Sequence, residues 1–125
     1  VRMRDPGAVV DFAHAYTDAW CSQQPEQVAS FFAENGSLRI NDGEPAVGRE
    51  AITEVARGFM TAYPDLRVEL KRVESQGDGY VYYYWSLTGT GADGVGVRMT
   101  GHERWRFGPG GLIAASQGTI DPPAA

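Results

Sequence analysis

Apolar residues recur every three to four positions through the first half of the chain, then switch to every second position after Pro64. The first spacing is that of a helix with one buried face, the second that of a strand with one buried face. Val9, Phe12, Tyr16 and Trp20 lie along one stripe with Ala13 and Ala19 beside it, while Asp11, His14 and Asp18 fall off it. This predicts an amphipathic helix of about four turns. Asp5-Pro6 starts it, a capping carboxylate ahead of a proline at the first helical position. A short second helix is predicted from Pro25 to about Ala33, burying Val28, Phe31 and Phe32, with Asn35-Gly36 as its stop. Residues 37–41 read as a short strand with Leu38 and Ile40 on one face, and Asp42 continues that face if the strand runs on. After a loop at 42–48, Ile52, Val55, Ala56, Phe59, Met60 and Tyr63 mark a third helix over 49–63, which Pro64 ends.

Strands are predicted at 66–74, 80–90, 95–107 and 112–120. The turns between them are Gln76-Gly77-Asp78-Gly79, Gly91-Ala92-Asp93-Gly94 and Gly108-Pro109-Gly110-Gly111. Three tight connections make an antiparallel meander. Helices followed by a meander make an α+β domain. The simplest packing is a strongly curved antiparallel sheet wrapped around three helices, with a cavity inside. No linker or repeat interrupts the chain, so residues 1–125 read as one domain.

One residue departs from this order. Along 98–107 one face reads Arg98, Thr100, His102, Arg104 and Arg106, and the other reads Met99, Gly101, Glu103, Trp105 and Phe107. Glu103 therefore points with the apolar set. A carboxylate there is costly unless it is paired or neutral. The alternatives are a protonated acid facing a ligand and a structural carboxylate paired with an arginine.

The 125 residues are 42% hydrophobic and 22% charged, an ordinary globular balance. A net charge of −5 argues against nucleic acid as the main partner. Cys21 stands alone, so no internal disulfide and no cysteine metal cluster are expected. His14 and Asp18 form an i, i+4 pair without a third ligand, so no metal is expected. No apolar run reaches the length of a membrane span, and none behind 1–6 is long enough for a signal peptide. A cytoplasmic location is the expectation, and the tail at 121–125 is expected to fray.

The order of elements and several phrases resemble the nuclear transport factor 2-like superfamily, and within it the SnoaL-like proteins. The phrases are Asp18-Ala19-Trp20, Val28-Ala29-Ser30-Phe31-Phe32-Ala33-Glu34-Asn35-Gly36, Val47-Gly48-Arg49-Glu50-Ala51-Ile52 and Gly101-His102-Glu103-Arg104-Trp105-Arg106-Phe107, followed by Gly111-Leu112-Ile113. The resemblance implies a cone-shaped α+β barrel without a cofactor. It sets Tyr16 where ketosteroid isomerases keep an oxyanion-hole phenol, and Glu103 where they keep a protonated acid. The isomerase base position falls near Ile40, which cannot move a proton, leaving Asp42 as the candidate base. It also implies a homodimer through the outer sheet face, using the aromatics near Tyr82 to Trp85 and the last two strands. Tyr80, Tyr82, Tyr83, Tyr84 and Trp85 put aromatics on both faces of one strand, so that one face lines the core or cavity and the other covers a partner, with Arg98, Arg104 and Arg106 at the rim.

Three functions fit. The first is a small enzyme using Glu103, Tyr16 and Asp42 for isomerisation or aldol-type cyclisation of an apolar carbonyl compound, polyketide- or terpenoid-like. Trp20, Phe59, Met60, Met99 and Trp105 would bind the ligand's body. The second is an epoxide hydrolase, which wants an Asp-Arg-Asp cluster where the last strand offers Gln117 and Gly118. The third is a ligand-binding or dimerisation domain without turnover.

Overall fold

A computed structural model describes residues 5–75 and 77–122. Gln76 of the first predicted turn and Pro123, Ala124 and Ala125 of the tail lie outside the described residues, as do residues 1–4. Three helices, α1 (Pro6–Cys21), α2 (Pro25–Ala29) and α3 (Arg49–Ala62), accompany six strands. The strands are β1 (Phe32–Ile40), β2 (Ala46–Val47), β3 (Arg67–Ser75), β4 (Val81–Thr90), β5 (Gly96–Phe107) and β6 (Ile113–Ile120). They form one curved, unclosed sheet in the order β2-β1-β6-β5-β4-β3. No helix among the described residues is long and apolar enough to cross a membrane.

The first helix begins as its sequence dictates, with the Asp5 side chain accepting from the Gly7 N–H and Pro6 in the first turn. Its buried residues Val9, Phe12, Ala13, Tyr16, Ala19 and Trp20 are the predicted stripe, joined by Thr17. The helix packs on β3, where Cys21 Sγ donates to the Val68 carbonyl at 3.2 Å. Rings fill the space between helix and sheet. Tyr16 meets Phe31, Tyr83 and Trp105 edge-on at 5.7, 5.4 and 5.1 Å, and Trp105 stacks on Tyr83 at 4.8 Å. Such pairs are each worth about 0.5–1.5 kcal/mol beyond burial.

The second helix and first strand differ from the sequence reading. The helix stops at Ala29 rather than near Ala33, and the strand starts at Phe32 rather than Ser37. Phe31 and Phe32 satisfy a helical spacing after Val28, but pairing with β6 claims them: Phe32 sits opposite Ile113, and the Ile113 N–H donates to the Phe31 carbonyl at 2.9 Å. Asn35-Gly36 is therefore no helix stop. It lies within β1, where the register against β6 shifts between Phe32 and Ser37. The displaced Phe32 carbonyl accepts from Arg49 Nε at 2.9 Å, tying α3 to the irregularity.

The β1–β6 pair is parallel, the one such pair in an otherwise antiparallel sheet. Asn41 locks its end. At φ 52° it turns the chain out of the strand, its N–H donates to the Gly118 carbonyl at 2.8 Å, and its side-chain oxygen accepts from the Ile120 N–H at 2.9 Å. Gly48 caps α3 at φ 90°, a conformation that favours glycine, and its carbonyl accepts from Ile52, which is fully buried. The short strand β2 just before it had no periodicity to announce it.

Two glycines separate backbone crowding from open space. A Cβ on Gly101 would overlap the Thr119 carbonyl oxygen and come 2.6 Å from the Trp85 ring, whereas nothing lies within 4 Å of one on Gly58 of α3. Gly101→Ala is expected to cost roughly 1–3 kcal/mol in urea unfolding. Gly58→Ala should gain up to about 1 kcal/mol from helix propensity.

Candidate functional site

Burial along β5 alternates as the sequence predicts: Gly101, Glu103 and Trp105 are buried, while Thr100, Arg104 and Arg106 are exposed. Glu103 is 7% exposed. No arginine reaches it among the described residues. Three neutral donors do instead. Tyr16 Oη–H, from α1, is 3.0 Å from each carboxyl oxygen. Trp105 Nε1–H, two residues along β5, donates to Oε1 at 2.9 Å, and Ser116 Oγ–H, from β6, donates to Oε1 at 2.8 Å. The structural alternative of a Glu–Arg pair is thus excluded, and the neutral-acid alternative remains.

Burial pushes the Glu103 carboxyl above its ordinary 4.5, and the hydrogen bonds from Trp105, Ser116 and Tyr16 pull the other way without cancelling it. The hydrogen bonds also place the proton. Oε1 takes Trp105 and Ser116, and the Tyr16 hydroxyl, with one hydrogen to give, lies equally near both oxygens, so Oε2 is the less occupied atom and the better placed to carry a proton. Tyr16 stays a phenol, its pKa driven well above 10.0 by burial first and by the nearby Glu103 charge second.

A cavity of about 50 Å³ opens beside this carboxyl. One row of the sheet crosses its floor. Tyr83 on β4 faces Glu103 on β5, Glu103 faces Gly118 on β6, and Gly118 faces Ile40 on β1. All four line the cavity, and Trp20, Phe59, Trp85 and Leu87 supply apolar wall around them. Glu103 is the one carboxyl among the described wall residues. The Tyr83 hydroxyl meets Thr17 Oγ1 at 2.6 Å, and Thr17 donates to the Ala13 carbonyl at 2.7 Å. Pockets that enclose a drug-sized ligand run to roughly 300–1,000 Å³. At about 50 Å³ this space is far smaller than such a pocket.

Of the residues singled out from sequence, Glu103, Trp20 and Phe59 lie on this wall. The rest are elsewhere. Tyr16 is fully buried behind Glu103 with its hydroxyl directed at the carboxyl, so it positions the acid and does not itself meet a ligand. Trp105 is likewise fully buried and acts as a donor from behind. Met60 is in the core one residue beyond Phe59, turned about 100° around the helix from it. Met99 is half-buried, and its cross-strand partner Leu87 takes the wall position. Asp42 is fully exposed, 3.8 Å from Arg39. The left-handed turn at Asn41 ends the alternation, so Asp42 does not share the face of Leu38 and Ile40.

Sequence reasoning missed Tyr83, Trp85, Leu87 and Gly118 as wall residues. Counting back through the Gly91–Gly94 turn from Glu103 would have found Tyr83, since that hairpin pairs regularly from Thr90–Gly96 onward. Among the described residues, no group of three or more His, Cys, Asp and Glu side chains is placed to hold a metal.

The family model described as SnoaL-like domain matches residues 13–116. No curated protein sequence matches the chain. Many solved structures share its fold, three of which illustrate its range. An NTF2-like protein of unknown function from Exiguobacterium sp. 255-15 is 19% identical, with a TM-score of 0.78 over 90% of this chain and 99% of that one. SalBIII, an epoxide hydrolase/cyclase-like enzyme in pyran ring formation in polyether salinomycin, is 16% identical, with a TM-score of 0.83 over 95% of both chains. A protein from Jannaschia sp. CCS1 assigned as a SnoaL-like polyketide cyclase is 16% identical, with a TM-score of 0.80 over 97% of this chain and 92% of that one. At these identities the likeness is one of fold.

The raised carboxyl sets the sign of a pH effect. Its folded pKa lies above the unfolded value, so its contribution to stability is fully present below about pH 4.5 and is lost as pH rises through the folded pKa. Asp65, whose pKa is lowered by hydrogen bonds from Thr90, works in the opposite sense and is common to both chains of a comparison. Subtracting the Glu103→Gln unfolding curve from the wild-type curve should therefore leave a stability difference that falls toward alkaline pH. A difference that rises with pH would mean that Glu103 is a stabilised anion.

Proposed function

The chain belongs to the SnoaL-like domain family, and from that premise we propose that it is a cofactor-free acid–base enzyme acting on a small apolar carbonyl compound, polyketide- or terpenoid-like. One observation carries the reading: a single carboxyl, held by Tyr16, Trp105 and Ser116, stands in an apolar wall, and its burial there raises its pKa. A carboxyl so placed holds its proton more firmly than one in water and can pass it to a ligand oxygen.

With Asp42 in solvent, one carboxyl serves both proton steps. Glu103 Oε2–H protonates the ligand carbonyl, and the carboxylate so formed removes the proton from the adjacent carbon. The ligand leaves the step as an enol, and Glu103 is neutral again. Glu103 then gives its proton to a different carbon and takes back the enol O–H proton, which regenerates the carbonyl and completes an isomerisation. In an aldol-type ring closure the enol carbon attacks a second carbonyl of the same molecule, Glu103 protonates the oxygen of that carbonyl, and the enol O–H proton returns to Glu103. General acid–base help of this kind is worth on the order of 10²–10⁴-fold. Opening of an epoxide shares the first proton delivery, and SalBIII makes that reading worth testing alongside. Having one carboxyl on the described wall favours a second reading, ligand binding without turnover.

The outer face of the sheet suits a second copy of the chain. Tyr80, Tyr82, Tyr84 and His102 are half-buried there, with Arg72 4.1 Å above the Tyr84 ring and Arg104 4.4 Å above that of Tyr80. Arg98, Arg104 and Arg106 rim this face from β5, and β3 presents Arg67, Glu69, Arg72 and Glu74 on it. A two-fold axis through the face would bring the aromatic rows of two copies together.

Two measurements test these readings. In D₂O, the wild-type chain should accelerate deuteration next to the carbonyl of small cyclic enones by about 10²-fold or more over buffer. Glu103→Gln should abolish that while binding the enones within a few-fold, and binding without exchange in the wild type would leave only the ligand-binding reading. Sedimentation should give a dimer at micromolar concentration, and charge reversal at Arg104 and Arg106 should dissociate it. A wild-type monomer would end the dimer proposal.

A further inference from the structure

Three glycines of the sheet are buried: Gly36, Gly101 and Gly118. Two have a backbone reason. A Cβ on Gly36 would lie 2.7 Å from the Ile113 carbonyl oxygen, and one on Gly101 would overlap that of Thr119. Gly118 has no such reason. Its φ is not in the left-handed region, and it sits inside a regular strand. A Cβ there would be 3.4 Å from the Arg39 carbonyl oxygen and 3.8 Å from both Glu103 Cγ and Ile40 Cγ1, which are ordinary contact distances. Glycine weakens a strand interior, so a buried strand position that has room for a methyl and lacks one gives up stability. The vacant space lies on the cavity wall directly across from Glu103.

We propose that Gly118 is a specificity-determining position, its missing side chain forming the notch through which the carbonyl carbon of a flat ligand reaches the Glu103 carboxyl. Ile40 closes the notch on one side and the Tyr83 ring bounds the other side of Glu103. The notch is one methyl group wide. It admits a ketone or enone with no branching beside the carbonyl and excludes one branched there. The aromatic wall of Trp20, Phe59, Tyr83 and Trp85 suits a flat body behind that head group. The inference rests on the acid–base reading for the ligand's carbonyl, and goes further in naming the shape around it.

The probes are 2-cyclohexenone and 6,6-dimethyl-2-cyclohexenone, titrated by calorimetry against the wild type and Gly118→Ala. The wild type should bind the unbranched enone at least tenfold more tightly than the branched one, and Gly118→Ala should lose at least tenfold on the unbranched enone. Gly118→Ala should keep the pH dependence of stability assigned to Glu103, which shows the carboxyl and its three donors still in place. Equal affinity of both chains for 2-cyclohexenone overturns the proposal, as does a wild type that binds neither probe or both alike. A Gly118→Ala chain that fails to fold also overturns it, because the methyl is argued to fit. Loss of binding in Gly118→Ala, with no deuterium exchange in the wild type, keeps the notch and ends the acid–base reading. Exchange that Gly118→Ala leaves untouched does the reverse.

Discussion

A carboxyl group surrounded by rings needs hydrogen-bond donors, and the donors of Glu103 come from three elements. Tyr16 is on α1, Trp105 on β5 and Ser116 on β6. Leaving any of these buried polar groups unpaired costs on the order of 1–3 kcal/mol. The interaction therefore constrains where the first helix crosses the sheet and how the last two strands align. No buried side-chain nitrogen or oxygen among the described residues is left without a partner. The aromatic cluster around Tyr16 and Trp105 shields the network from water, and the same shielding raises the carboxyl's pKa. Packing and chemistry at this point are one arrangement.

The helices, the meander and the acid were legible because each rests on local periodicity. The inward face of Glu103 follows from alternation along one strand, and the third helix from the spacing of Ile52, Ala56 and Met60. What stayed hidden was non-local. The residues after Val28 suit a helix until β6 pairs with them. Asp42 looked inward only on the assumption that the strand ran on, and Asn41 turns it out. The cavity wall depends on a register shift between Arg106 and Phe107. Counting from the Phe107–Ile113 pair without it would set Gln117 opposite Glu103, while the shift sets Gly118 there. One extra residue in a strand exchanges its faces, and nothing in the string of letters announces it.

The fold and the site divide their labour. The sheet supplies a rigid row from Tyr83 to Ile40, and the helices supply the lid of rings above it. Within that frame one carboxyl stands on the cavity wall, across from a position with no side chain. Relatives with the same architecture include an NTF2-like protein of unknown function and an epoxide hydrolase/cyclase-like enzyme, so architecture alone does not select a reaction. The wall here is mostly apolar, with Thr119 and, as its one carboxyl among the described residues, Glu103.

The parallel pairing of β1 with β6 also bears on how the chain reaches this state. The strand between β1 and β5 in space is the one that follows all the others in sequence. Until β6 docks on it, β1 has only the two-residue β2 beside it. The hairpins of the meander can form locally and early, but the centre of the sheet closes only through contacts some eighty residues apart, such as Leu38 with Ser116. Such long loops are slow to close and lower the folding rate. A chain in which this one long-range pairing has not formed would expose the facing edges of β1 and β6.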